Sequence, residues 1–276
     1  MAYEKLGKGS LDYFPCRYKT SKILFRGPKR SLDGPYVAVL GGTETYGRFN
    51  KQPYPDLLEE RMGRTVVNFG CPNAGLDVYL RDPALLKLCN NASEIIVQLP
   101  GAQNLSNRFY AVHPRRNDRF LRASSMLKYL YPEMDFTDYH FTRHLLGALQ
   151  STCEQRFAFV RKELKGAWIG RMKALLSRLD TRVTLVWLAG HAIASSAADE
   201  AFGSDPLFVD QDMVDNVRPF VRDLVEVVVT PNEIAKGQVG LIHSEMDAPM
   251  AQKMLGTVAH ERVAMELEQA LSCNHL

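Results

Sequence analysis

Long apolar runs are missing from this chain. No uncharged stretch approaches the roughly 20 residues that a membrane-spanning helix requires, although apolar residues make up 46% of its 276 positions. The opening MAYEKLGKGSLDYFPCRYK has no apolar core of signal-peptide length, so a cytoplasmic location is expected. Cysteine is scarce: Cys16, Cys71, Cys89, Cys153 and Cys273 are widely spaced, odd in number and contain no Cys-x-x-Cys pair. That argues against a disulfide frame and a thiolate zinc site, and fits reduced thiols. Charge of one sign is not in excess. The formal net charge of +3 is too small to argue for nucleic acid as a partner. Nucleotide signatures are absent as well: GGTETYG at 41–47 is not a G-x-G-x-x-G turn, and no G-x-x-x-x-G-K-[ST] occurs. His140 and His144 stand four apart on a helix but lack the H-E-x-x-H frame, so neither a metal nor a cofactor is implied.

What is present is an alternation of strands and helices. Five short apolar, β-branched runs, at residues 36–40, 65–68, 94–99, 183–188 and 224–229, read as buried strands. Between the first three lie a helix over 53–62, opened by Pro53 and stopped by Gly63, and another over 76–88 interrupted near Pro83. Connections of this length are too long for hairpins, which makes the sheet mainly parallel with right-handed crossovers. Over 137–179 apolar residues recur every three or four positions, predicting one long helix or two in series split near Gly166. An amphipathic helix over 250–271 closes the chain. The organisation expected is an N-terminal arm (1–35) and a single α/β domain (36–276) with irregular insertions at 101–136 and 192–219. The arm carries Arg17, Lys19, Lys22, Arg26, Lys29 and Arg30, either a solvated face or a surface for an anionic partner.

In an open α/β sheet, ligands bind at the carboxyl ends of the strands, near the point where strand order reverses. Four such ends carry small or polar residues here: GGTETYG at 41–47, NFGCPNAG at 68–75, PGAQN at 100–104, and Gly190-His191. The first of these, followed by Tyr54-Pro-Asp-Leu-Leu58 and then Val-Val-Asn68-Phe-Gly70, resembles the opening of the SGNH (GDSL-like) hydrolase superfamily. The resemblance covers residues 36–104. The chain as a whole, including Phe25-Arg-Gly-Pro28 and GAQNLSNRFY at 101–110, is also similar to an uncharacterised bacterial family. The superfamily resemblance implies a flavodoxin-like three-layer sandwich around a five-stranded, mainly parallel sheet. It also implies a nucleophilic serine, a glycine and an asparagine as oxyanion donors, and a histidine with its aspartate near the C-terminus. Carried onto this sequence, Thr43 takes the serine's position. Gly75, or failing that Gly70, is the oxyanion glycine, since a bare backbone N–H can approach the developing charge. Asn104 is the oxyanion asparagine, with Asn107 as a competitor. Asp247 opens the final block, in which Met250 stands where the histidine belongs. The base is therefore expected from His260 or His243, which must come within hydrogen-bond reach of the Thr43 hydroxyl.

Substrate contacts are expected from Glu44, Asn107, Arg108, Arg115, Arg116 and His191. Glu44 supplies a carboxylate beside Thr43, as an acid or base or as a partner for Arg48. The insertion's arginines suit bidentate pairing with carboxylate, sulfate or phosphate, and His191 enters from the end of the fourth strand. The function implied by the resemblance is an esterase or acyl-transfer enzyme on a small or lipid-like acyl substrate. Two other readings stand beside it: a catalytically inactive binding module for an anionic ligand, and a group transferase in polysaccharide or lipid modification. A homo-oligomer is compatible with each.

Overall fold

The structure, a computed structural model, describes residues 10–195, 203 and 205–272. Its strands in chain order are β1 (Val37–Leu40), β2 (Val66–Asn68), β3 (Glu94–Gln98), β4 (Tyr110–His113), β5 (Arg116–Ala123), β6 (Val183–Ala189) and β7 (Asp223–Val228). Five of them form one parallel sheet in the order β2-β1-β3-β6-β7. Every pairing in it is parallel: Val39 stands opposite both Asn68 and Ile96, Val97 opposite Leu185, and Trp187 opposite Glu226. These are the five apolar runs of the sequence, each within a residue or two. Among them the order is the flavodoxin-like 2-1-3-4-5, which reverses direction at β1 and opens a crevice between the ends of β1 and β3.

Strand side chains alternate between the two faces, and the sheet separates two cores accordingly. Ala38, Leu40, Ile95, Val97, Leu185 and Trp187 face one way. Helices Pro83–Asn90, Thr142–Thr152, Glu154–Leu176 and Gln211–Val217 cover them through Leu88, Leu149, Leu164, Trp168 and Val214. Val37, Val39, Ile96, Val186 and Leu188 face the other way, under helices Tyr54–Met62 and Thr257–Ser272 through Leu58, Val263 and Leu267. Each fully buried leucine or valine contributes about 1.5–3 kcal/mol of transfer free energy. The result is the three-layer α/β sandwich that the sequence implies.

Four differences from the sequence reading have physical causes. The periodic run over 137–179 breaks at Cys153, which is extended at φ −163°, and Gly166 runs on inside helix Glu154–Leu176. The apolar spacing carries across the break in phase, so periodicity alone does not show it. The closing helix begins at Thr257, after a short turn Ala248–Ala251, because Gly256 at φ +83° takes the left-handed backbone that ends a helix. The insertion at 101–136 is ordered: β4 and β5 pair as an antiparallel hairpin with register shifts at Val112, and helix Ser125–Leu130 follows. Finally, the arm is a solvated face at Arg17, Lys19, Lys22 and Lys29, which are exposed, but not at its other two basic residues. Arg26 is 6% exposed and donates to the carbonyls of Tyr46, Gly47 and Lys51, while Arg30 pairs with Glu59. The second insertion contributes helix Gln211–Val217, and its residues 196–202 and 204 lie outside the described ones. Among the described residues, no helix is long and apolar enough to cross a membrane.

Candidate functional site

The turn after β1 is held from three sides. Gly41 lies so close to its neighbours that a Cβ there would sit 1.9 Å from Thr45 Oγ1 and 2.7 Å from Gln98 Oε1. The Tyr79 hydroxyl accepts the Gly41 N–H at 3.0 Å and donates to the Gly41 carbonyl. Burial holds that phenol far above its ordinary range, so it stays protonated and able to donate. At the end of β3, Gln98 Oε1 accepts from Gly42 N–H (3.1 Å), Thr45 N–H (3.3 Å) and Thr45 Oγ1 (2.6 Å). At the end of β2, Asn68 Nδ2 donates to Thr45 O at 2.7 Å and its Oδ1 accepts the Gly70 N–H at 2.8 Å. Carboxamides from the two strands that flank β1 thus fix the short helix Thr43–Tyr46, which ends at Gly47 with φ +73°. Two backbone N–H donors settle which end of Gln98 is oxygen. Its Nε2 is then left with no acceptor among the described residues.

Thr43 projects from this turn into a polar group assembled by Asn73. The Thr43 hydroxyl accepts the Asn73 N–H at 3.0 Å and donates to Asn73 Oδ1 at 3.1 Å. Asn73 has φ +55°, a conformation that asparagine tolerates better than most residues. Its Nδ2 donates to Asp118 Oδ2 on β5 at 3.2 Å, and its carbonyl accepts from Asn104 Nδ2 at 3.2 Å. Asn104 Oδ1 in turn accepts from Thr142 Oγ1 at 2.7 Å. The structure therefore brings Thr43 and Asn104 together, though through Asn73 rather than directly. Nearby Cys71 is buried, and burial, with a smaller contribution from Asp118, pushes its thiol up to about 11. It is a neutral thiol at ordinary pH, not a nucleophile.

The other expected oxyanion donors are used internally. Gly75 passes so close to Asn104 that a Cβ would stand 1.6 Å from its carbonyl oxygen. The Gly75 N–H donates to Asn117 Oδ1 at 3.1 Å, so it faces a side chain of β5 and not the Thr43 hydroxyl. Gly70, the alternative, gives its N–H to Asn68. Asn107 caps its own loop, accepting from the N–H groups of Phe109 and Tyr110.

Of the candidate bases, His260 lies in the opposite helical layer from Thr142, and His243 lies in the loop after helix Pro231–Gln238. His260 is 2% exposed on the closing helix, and its Nδ1 accepts the Tyr54 N–H at 3.0 Å. That N–H belongs to the first turn of a helix whose Pro53 cap supplies no side-chain acceptor, so His260 satisfies a donor that would otherwise be orphaned. With Nδ1 accepting, the neutral ring carries its proton on Nε2, which lies 3.5 Å from Glu44 Oε2. Glu44 therefore faces His260 and not Arg48. His243 differs: its Nδ1 lies 3.0 Å from Ser244 O and donates to it, leaving the Nε2 lone pair unspent. Its ring stands edge-on to Phe49. Asp247 does not orient that ring; its carboxylate accepts from Ser244 Oγ at 2.7 Å and lies 3.8 Å from Arg48.

The expected substrate contacts scatter. Arg108 is bound to Glu163 on the long helix, with Nε 2.6 Å from Oε2. Arg115 and Arg116 are exposed at the hairpin's tip. His191 follows β6 and meets Trp187 edge-on, while Trp187 Nε1 donates to the His191 carbonyl. Among the described residues no three His, Cys, Asp or Glu side chains gather as a metal-binding group. Sequence reasoning missed Asn73, Gln98, Asp118 and Thr142. The only signal for Gln98 was its place as the polar residue that ends the apolar run of β3, and for Asn73 its place between the glycines of the second loop. The chain belongs to the family described as a domain of unknown function, DUF6473, which it matches over residues 1–275. No curated protein matches it.

Proposed function

We propose that the crevice at the ends of β1 and β3 in this SGNH-like chain binds a small ligand through an acyl or carboxylate oxygen, without ester hydrolysis at Thr43. One observation carries this reading. The Thr43 hydroxyl exchanges both of its hydrogen bonds with Asn73, while the His260 ring nitrogens face Tyr54 and Glu44. A general base has to reach the hydroxyl it deprotonates, and a stabilised oxyanion needs uncommitted donors. The donors left over, Gln98 Nε2 and the second N–H of Asn104 Nδ2, suit an acceptor oxygen on a bound molecule. The test is a thermal-shift series with short-chain carboxylates and acyl amides, run beside short-chain aryl esters as substrates. Saturating ligand at a hundredfold over Kd stabilises a folded protein by about 2.7 kcal/mol. Stabilisation that disappears in Asn104→Ala, with no ester turnover, supports the reading.

The second reading is the esterase or acyl-transfer enzyme, and His243 favours it. With Nδ1 held by a carbonyl, its Nε2 is a competent acceptor. Ester turnover lost in both Thr43→Ala and His243→Gln would establish that enzyme and displace the binding module.

A further inference from the structure

The arginines of the hairpin are placed unlike most of those in the rest of the molecule. Elsewhere most guanidinium groups are engaged, as Arg61 is with Glu268, Arg156 with Glu133, Arg171 with Asp77 and Arg262 with Glu233. Arg115, Arg116, Arg119, Arg122 and Lys128 are all exposed. Among the described residues, none of these five has a carboxylate within ion-pair distance. Between Pro114 and Pro132 they stand against a single acid, Asp118, whose Oδ2 already accepts from Asn73.

Apolar side chains are interleaved with these cations. Leu121 is 55% exposed, Met126 49% and Tyr129 89%. Arg119 and Leu121 flank the buried Phe120, so both project from the side of β5 away from it. Met126 and Tyr129 are three apart on helix Ser125–Leu130 and share one of its faces, while Leu127 anchors that helix inward. Arg119 lies over the Phe141 ring, 4.2 Å from its centroid, which leaves its charge without an anionic partner among the described residues. Large apolar side chains left in water beside cations that lack a carboxylate suit a partner that offers phosphate and hydrocarbon together.

We propose that residues 114–132 dock this protein on an anionic phospholipid surface. The cations meet lipid phosphates, and Leu121, Met126 and Tyr129 enter the boundary between headgroups and acyl chains. A single-stranded nucleic acid is the less suitable polyanion. Bases stack on aromatic faces, and two of the three exposed apolar residues are aliphatic. The docking itself stands whether or not the crevice binds an acyl ligand.

The test is co-sedimentation of the full chain with vesicles of phosphatidylcholine alone, or with about a third phosphatidylglycerol. Binding is expected to the anionic vesicles only and to weaken as salt rises. Arg115→Glu with Arg122→Glu lowers the apparent affinity about tenfold or more. Met126→Ser with Tyr129→Ser lowers it several-fold with circular dichroism unchanged. Thr43→Ala binds vesicles as the parent does, which separates this proposal from the crevice reading. Failure to sediment with anionic vesicles at low salt overturns it. So does binding that is indifferent to the Met126/Tyr129 pair and displaced by a short RNA, which would assign the surface to nucleic acid.

Discussion

In the turn after β1, the polar atoms of Gly41, Gly42 and Thr45 are matched to Tyr79, Asn68 and Gln98 at hydrogen-bond distance. In the β4–β5 hairpin, Arg115, Arg116 and Arg122 are exposed, with no carboxylate at ion-pair distance among the described residues. The contrast follows from where each region lies. A buried donor or acceptor left without a partner costs about 1–3 kcal/mol, so a turn that enters the core must pair internally. An exposed guanidinium carries no such requirement, because water serves it. Pairing in the first region therefore reports on folding, and its absence in the second reports on what the surface can still bind.

The largest effect expected from breaking this contrast is at Gln98. Gln98→Leu keeps most of the side-chain volume and removes the acceptor for two backbone N–H groups and the Thr45 hydroxyl. Tyr54 OH, 2.7 Å from Thr45 Oγ1, can still serve that hydroxyl, so two orphaned N–H groups dominate. The expected loss is about 3 kcal/mol, read as a lower denaturant midpoint at unchanged m-value. A loss below about 0.5 kcal/mol would show that water reaches the turn and that the region is not built as described.

How much of this was legible in the sequence differs between the same two regions. The five sheet strands were readable because each is a short β-branched run ended by a polar or glycine residue, and a parallel strand buried on both faces needs no alternation. The hairpin was not readable as strands. In β5 the buried positions are Asn117 and Phe120, which are three apart, so the register shift at Val112 erases the period-two signal. At the site, Thr43 and Asn104 could be placed from their positions after β1 and β3. Asn73, which joins them, depends on a left-handed backbone that composition does not reveal. His260 could be seen as a helix histidine. Its partner, the Tyr54 N–H, lies 206 residues away in the chain, and only the packing of two helices on one face of the sheet brings them together.

Asn117 is where the two regions join, and its effect should be intermediate. It is fully buried; its Oδ1 accepts from Gly75 and Val78 N–H, and its Nδ2 donates to His113 O. Asn117→Ala removes a cap from helix Leu76–Leu80 and a tie across the hairpin at once. The expected cost is about 2 kcal/mol, and cleavage by trypsin after Arg115 and Arg116 should accelerate by more than the global loss explains. Equal acceleration at an arginine far from the hairpin would mean that the hairpin does not open as a local unit.

The smallest effect belongs to the hairpin's own arginines, and it is the sharpest check on the contrast. Arg115→Ala and Arg122→Ala remove exposed side chains that make no ion pair among the described residues. Exposed substitutions of this kind change stability by less than about 0.5 kcal/mol. Arg26→Met is the internal control, because that guanidinium is 6% exposed and donates to three backbone carbonyls. Its loss should cost about 2 kcal/mol. Melting temperatures of the three variants, measured together, separate cations that hold the fold from cations that the fold leaves available. If Arg115→Ala or Arg122→Ala melted as far below the parent as Arg26→Met, the hairpin would be a structural strut and its exposed charge would need no partner.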